Sequence, residues 1–286
     1  MGWYMYRCFF SFFIFCLISI ITFLITTFSI EYIKFLDPIM IKIKSNKDNF
    51  ESGFVNAYID DDNIIPGILG SVVNLDESFK IMKKYGSYNE KLLVFSKVNP
   101  ELSVSNIFDK YIRKGNGMKK EVSFIFTVID TNYLEEIVFI LNENNVIGTF
   151  FIDENVFLNS FDILKFLYFN NQNIEYMGSN MIYTKTNLLN FSFLLKNYFN
   201  IKNRYCYTSS YNKSILDVCS QNGFHTIFPS INIDNYPYHY LKDSLSNGLI
   251  ISFNNRELLL DELNYIIAFI RQKGYEIVSL EKLLEE

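Results

Sequence analysis

The stretch VSFIFTVIDTNYLEEIVFILNENNVIGTFFID, residues 122–153, decides the fold. Val122–Val128 is an apolar run of strand length. In the next segment Leu134, Ile137, Val138 and Leu141 follow the i, i+3, i+4, i+7 spacing of a helix with one apolar face. Asn132 and Glu135 are placed to cap it. Ile147–Asp153 is a second apolar strand. Strand, helix, strand is the repeating unit of a parallel α/β sheet. In such units the chemistry sits in loops after the strands, yet the loop here opens on Thr127, Val128 and Ile129.

The pattern continues outward. Further strand candidates are Ile174–Gly178, Arg204–Thr208, Thr226–Ser230, Leu249–Phe253 and Glu276–Leu280, with helical segments between most of them. Asn212 is placed to cap the helix Lys213–Asn222, which Gly223 ends. A long helix from about Glu257 to Lys273 ends at Gly274. The alternation predicts a parallel barrel or a doubly wound sheet. Upstream, Asn74 and Glu77 form a capping box for a helix to Tyr85, and Gly86 follows it. A strand is expected at Leu92–Phe95, and the polar RKGNGMKK (113–120) marks a boundary.

The chain has 286 residues, 49% of them apolar, and a net charge of −5 with pI near 5.3. An acidic chain argues against a nucleic-acid partner. Cys8–Ile30 carries no charge. Such a run forms a helix of about 34 Å, against a hydrocarbon core of about 30 Å. The run is long for a signal peptide and no A-x-A site follows, so it is expected to remain as a signal anchor. Arg7 and the terminal amine keep the short N-terminus cytoplasmic and put the rest of the chain outside, although Lys34, Lys42, Lys44 and Lys47 weaken that bias. The expected organisation is a tip and anchor (1–30), a stalk (31–47), a small α+β region (48–116) and the α/β domain (117–286). Outside the span only Cys206 and Cys219 remain. They lie on a strand and late in the next helix, and no bridge between them is expected.

The strand ends offer Asp130, Asp153, Asn180, Ser209, Asp234 and Asn254 as candidate substrate-binding residues. Neutral amides and hydroxyls dominate this rim. They suit sugar hydroxyls, and they also suit ordinary loops. Of two histidines, His225 precedes a strand and reads as structural, while His239 lies among tyrosines in an irregular connection. No Gly-rich phosphate loop or G-x-S-x-G motif occurs.

From about Val122 to Glu286 the chain resembles the polysaccharide deacetylase (NodB-type) family. Residues 122–129 resemble its v-s-l-T-F-D-D-G motif, and GTFFID (148–153) its a-T-F-F strand. IEYMGSNMIYTKTNL (174–188) resembles e-I-G-N-H-t-y-s-H-p-d-L. RYCYTSSYN (204–212) resembles R-P-P-y-G-s-y-N, and GLIISFNN (248–255) resembles g-s-I-i-L-m-H-d. Residues 66–100 resemble the segment before the barrel in a divergent, membrane-anchored subgroup from spore-forming Firmicutes. The resemblance implies a deformed (β/α)7 barrel. In active members one Asp and two His hold a divalent metal, and a second Asp acts as base. Here the base position is Thr127 and the metal-Asp position Val128. The His positions fall on Asn180 or Met181 and on Thr184 or Lys185, and a late His position on Asn254.

Three functions follow. The first is an inactive deacetylase-like protein that binds cell-wall glycan or an envelope protein, with a role in sporulation and no cofactor. The second is an active carbohydrate deacetylase with relocated ligands among Asp130, Asp153, Asp234 and His239; carboxylates would favour Mg, Ca or Mn. The third is a protein-interaction module docking through residues 48–116.

Overall fold

In the computed structural model, residues 2–233, 237–254 and 257–286 are described, and the chain divides into two compact units. One comprises residues 1–53 and 70–98, the other 54–69 and 99–286.

The first unit opens with a helix over Gly2–Leu36, followed by a second over Pro38–Asn46. Asp37 separates them. Its Oδ1 accepts from the Ile39 N–H at 2.9 Å, and Pro38 occupies the first helical position, where a missing N–H costs nothing. The Lys83 ammonium holds the Asp37 carboxyl below its usual range. Phe15–Leu36 is long and apolar enough to cross a membrane, and none of its most apolar window is buried inside the protein. Beyond it, Gly70–Val73 and Phe95–Val98 pair antiparallel around the helix Leu75–Tyr85, over a small core of Ile43, Val73 and Met82. The expected cap forms: the Glu77 N–H donates to Asn74, and Gly86 ends the helix at φ +93°. The strand expected at Leu92–Phe95 starts later, because Glu90–Leu92 is a tight helical turn.

The second unit is a curled, mixed half-barrel sheet with helices on its outer face. Its strands are β1 (Tyr58–Asp60), β2 (Asn63–Ile65), β3 (Tyr111–Ile112), β4 (Glu121–Val128), β5 (Thr149–Asp153), β6 (Asn173–Met177), β7 (Tyr205–Tyr207), β8 (His225–Ile227), β9 (Ile231–Ile233), β10 (Ile250–Asn254) and β11 (Glu276–Val278). The order is β1-β2-β3-β8-β7-β6-β5-β4-β10-β9, with β11 beside β4. Among the described strands of this sheet only β1 and β2 pair antiparallel. Residues 54–69 and 99–116, read from sequence as lying before the barrel, thus contribute three of its strands. Hydrogen bonds fasten them. Asn116 Nδ2 donates to the Pro66 carbonyl at 2.8 Å, and the Glu286 carboxylate accepts from the N–H groups of Gly67 and Val104.

Strand alternation builds two cores. Val122, Phe124, Phe126 and Val128 of β4 face the helices, where Phe126 stacks on Phe150 at 4.7 Å and on Phe253 at 5.6 Å. Ile125, Phe151, Met177, Tyr207, Ile227 and Ile250 fill the inner face. Burying each such side chain contributes about 1.5–3 kcal/mol. Gly148 is required beside β5, since a Cβ there would lie 2.7 Å from the Phe126 ring.

The expectation of free cysteines is overturned. Cys206 and Cys219 are bonded, their Cα atoms 6.4 Å apart and both side chains fully buried. Cys206 sits on the outer face of β7, and the helix Lys213–Gln221 folds back across β8, which returns Cys219 to it.

Candidate functional site

The ends of β4, β5, β6, β7 and β10 form the rim where the sequence placed chemistry. Parallel register brings them level: Thr127 pairs with Phe151 and Asn254, and Asp153 with Met177. Thr127 is buried and falls on the inner face with Ile125. Val128 points the other way and is fully buried in the helix-facing core.

Asp153 is buried and caps the short helix Glu154–Asn159, accepting from the Asn155 N–H at 2.8 Å. Asn155 Nδ2 in turn donates to Ser179 Oγ at 2.6 Å, tying the β5 and β6 loops together. After β6 the chain turns sharply through Ser179–Met181, and Asn180 is exposed at φ +48°. Gly178 permits this turn, because a Cβ there would meet the Ile182 carbonyl oxygen at 2.2 Å. Thr184 accepts from the Asn187 N–H at 3.2 Å and caps the helix Lys185–Phe199.

Asp130 accepts from the Asn132 N–H at 2.9 Å. The helix Leu134–Glu143 lacks the expected Asn132 cap: Tyr133, at φ +59°, stands at its start without a side-chain cap. Ser209 is exposed beside Thr208, whose hydroxyl donates to the Ser210 carbonyl at 2.7 Å. His239 is exposed on the helix Pro237–Ser244. Asp234 lies outside the described residues, and of Asn254 only the backbone at the end of β10 is described.

Two tyrosines missed in the sequence shape the floor of this rim. β6 and β7 share one register pair, Tyr176 with Cys206. Tyr183 bridges the strands further on: its hydroxyl donates to the Tyr207 carbonyl at 2.8 Å and accepts from the Tyr207 N–H at 3.1 Å. The Tyr176 hydroxyl donates to Glu154 at 3.0 Å. Burial raises both phenols above their ordinary range, so they act as neutral hydrogen-bonding groups.

The divalent metal of active deacetylases does not fit this donor set. One ligand position is an apolar side chain inside the core. Another carries either a hydroxyl spent on a helix cap or a lysine, and the third offers Asn180 or Met181. Among the described residues no three His, Cys, Asp or Glu side chains come together as metal ligands. A perturbed carboxyl and a perturbed imidazole lie at the other end of the barrel. Glu175 is buried, accepts from the N–H groups of Arg204 and Tyr205 at 3.0 Å each, and is pushed up to about 8 by burial. His225 stacks on Phe108 at 4.3 Å and is pushed down to about 4, again by burial. A cleft of about 810 Å³ opens there, between Ser103, Arg204, Tyr205, His225 and Glu281.

This curled sheet, with its helical outer layer, has counterparts among solved structures. Wild-type BA3943 from Bacillus anthracis, described as a CE4 family pseudoenzyme, superposes with a TM-score of 0.68 over 87% of this chain and 96% of its own, at 21% identity. The fold is that of the CE4 carbohydrate esterases. Bacillus subtilis PdaA, a family 4 carbohydrate esterase, matches with a TM-score of 0.52 over 60% of this chain and 83% of its own, at 15% identity. The pseudoenzyme match extends over more of this chain than the PdaA match does. A sequence relative, the uncharacterized protein YlxY of Bacillus subtilis (strain 168), is 24% identical over 271 residues, 87% of this chain and 84% of that protein. No family model matches the sequence. The expected deacetylase resemblance and barrel thus hold at the level of the fold.

Proposed function

We propose that this chain is a membrane-anchored, catalytically inactive CE4-type protein that binds cell-envelope glycan. The observation that carries the proposal is the rim itself. The metal-Asp position is Val128, sealed in the core, and the base position is Thr127, whose hydroxyl has no pKa suited to general-base work near neutrality. Loss of even supporting groups around a metal typically costs about 10–100-fold in affinity or activity. The likeness to a protein described as a CE4 pseudoenzyme supports this reading. The apolar span Phe15–Leu36 supports anchoring, and the Cys206–Cys219 bridge supports placement of the barrel outside the cytoplasm, where disulfides persist.

The test uses the full chain in detergent. It should carry no stoichiometric metal and release no acetate from acetylated chitin or peptidoglycan fragments, yet co-sediment with insoluble cell walls. One equivalent of metal, with turnover abolished by Asp130→Asn or Asp153→Asn, would replace this reading with an active deacetylase using relocated ligands. A soluble mature chain starting near Ser29 would remove the anchor.

A further inference from the structure

Arg113 follows β3, Phe228 follows β8, and Tyr211 lies in the loop after β7. The three strands are parallel neighbours, so these residues gather at one end of the sheet. Ile112 and Ile227 pair on the inner face, so Arg113 and Phe228, one position on, fall on the outer face. The Arg113 guanidinium lies 4.5 Å from the centre of the Phe228 ring and 5.9 Å from that of Tyr211. Tyr111 and Phe228 meet the Tyr211 ring edge-on at 5.2 and 4.9 Å. The arrangement is rigid: the Phe228 N–H donates to the Ile112 carbonyl at 2.9 Å, the Asn212 N–H to the Tyr111 hydroxyl at 2.9 Å, and Ser230 Oγ to the Arg113 carbonyl.

Among the described residues no carboxylate reaches ion-pair distance of Arg113, and its Nε is buried without an acceptor. The acids around Tyr111 are already held, Asp62 by Lys110 and Asp217 by Lys213. A half-buried guanidinium with an orphaned donor is a costly arrangement unless something supplies the acceptor. Its planar fork matches a carboxylate or phosphate oxygen pair. Beside it, Tyr211 is 53% exposed, and its hydroxyl exchanges hydrogen bonds with the Asn63 side chain at 3.0–3.2 Å. An open aromatic face and a paired hydroxyl–amide edge suit the apolar face and the hydroxyls of a sugar ring.

We propose that Arg113, Phe228, Tyr211 and Asn63 form a binding site for an acidic glycan, its anionic group on the guanidinium and a sugar ring against Tyr211. This rests on the glycan-binding reading above and names the class of glycan. The anion is a carboxylate on the sugar or a phosphodiester between sugar units, two sources of the same chemistry.

The experiment measures binding of the full chain in detergent to three probes: oligogalacturonate, a phosphomannan whose mannose units are joined by phosphodiesters, and chitotetraose. One anionic probe should bind more tightly than the neutral one, and which of the two does so identifies the source. Its affinity should fall with added salt. Arg113→Gln should weaken it about 10–100-fold, the range for a charge-assisted contact, without altering chitotetraose binding. Arg113→Lys keeps the charge and loses the fork, so a several-fold loss is expected; it carries the test if the glutamine variant does not fold. Anionic probes that bind no better than chitotetraose, or that are indifferent to both substitutions, overturn the site. Cell-wall co-sedimentation of the same samples then tells the two ideas apart: retention on walls with this result leaves the glycan reading standing, and loss of both removes it.

Discussion

Replacing Glu175 by Gln should abolish a pH dependence of stability that the wild-type chain carries. The Glu175 carboxyl is buried on the inner face and its protonation is favoured by burial, up to about 8 from an ordinary 4.5. The folded state therefore binds more protons than the unfolded chain between those values. Stability conferred by the neutral acid is complete below pH 4.5 and is lost as pH rises toward 8. At 1.36 kcal/mol for each pH unit of that window the loss is about 3–5 kcal/mol. A melt of the wild type alone would partly hide it. His225, pushed down to about 4 from 6.5, runs the other way: its contribution is present above 6.5 and lost as pH falls toward 4. The two slopes oppose each other between 4.5 and 6.5, so the readout must be the difference between wild type and variant. Glutamine resembles the protonated acid in shape and keeps an oxygen for the Arg204 and Tyr205 N–H groups. Thermal unfolding followed by circular dichroism should give similar midpoints at pH 5. At pH 8.5 the variant should melt about 10 °C higher, at roughly 2–4 °C per kcal/mol. A difference that stays constant from pH 5 to pH 9 would refute the reasoning.

Two further outcomes are expected. Non-reducing mass spectrometry should show Cys206 and Cys219 bonded, and the Cys206→Ala/Cys219→Ala double variant should lose about 3 kcal/mol, the scale for a loop of this length; two free thiols in protein purified without reductant would contradict the geometry. Asp153→Ala should cost about 1 kcal/mol in urea unfolding, the value of a helix cap, and should leave metal content unchanged; a loss above about 3 kcal/mol, or of a bound metal, would give Asp153 another role.

The sequence carried the signals that are local. Apolar runs placed β4, β5, β6 and β10 to within a few residues, and the helices Leu75–Tyr85 and Lys213–Gln221 begin at their Asn caps as read. The uncharged N-terminal run was legible for the same reason, since it depends on residue type along a short stretch. Tertiary structure decided what depends on distant residues. β1 to β3 are two or three residues long, too short for periodicity to mark; β3 adds to the edge that β8 offers, and β2 and β1 add in turn. Cys206 and Cys219 meet only because a helix folds back over its own strand. Glu175 looks like any strand acid until β7 supplies its N–H groups, and Arg113 like part of a polar boundary until Phe228 and Tyr211 arrive from segments more than ninety residues on. Burial and pairing across the sheet create these properties, and neither is written in the neighbours of the residue concerned.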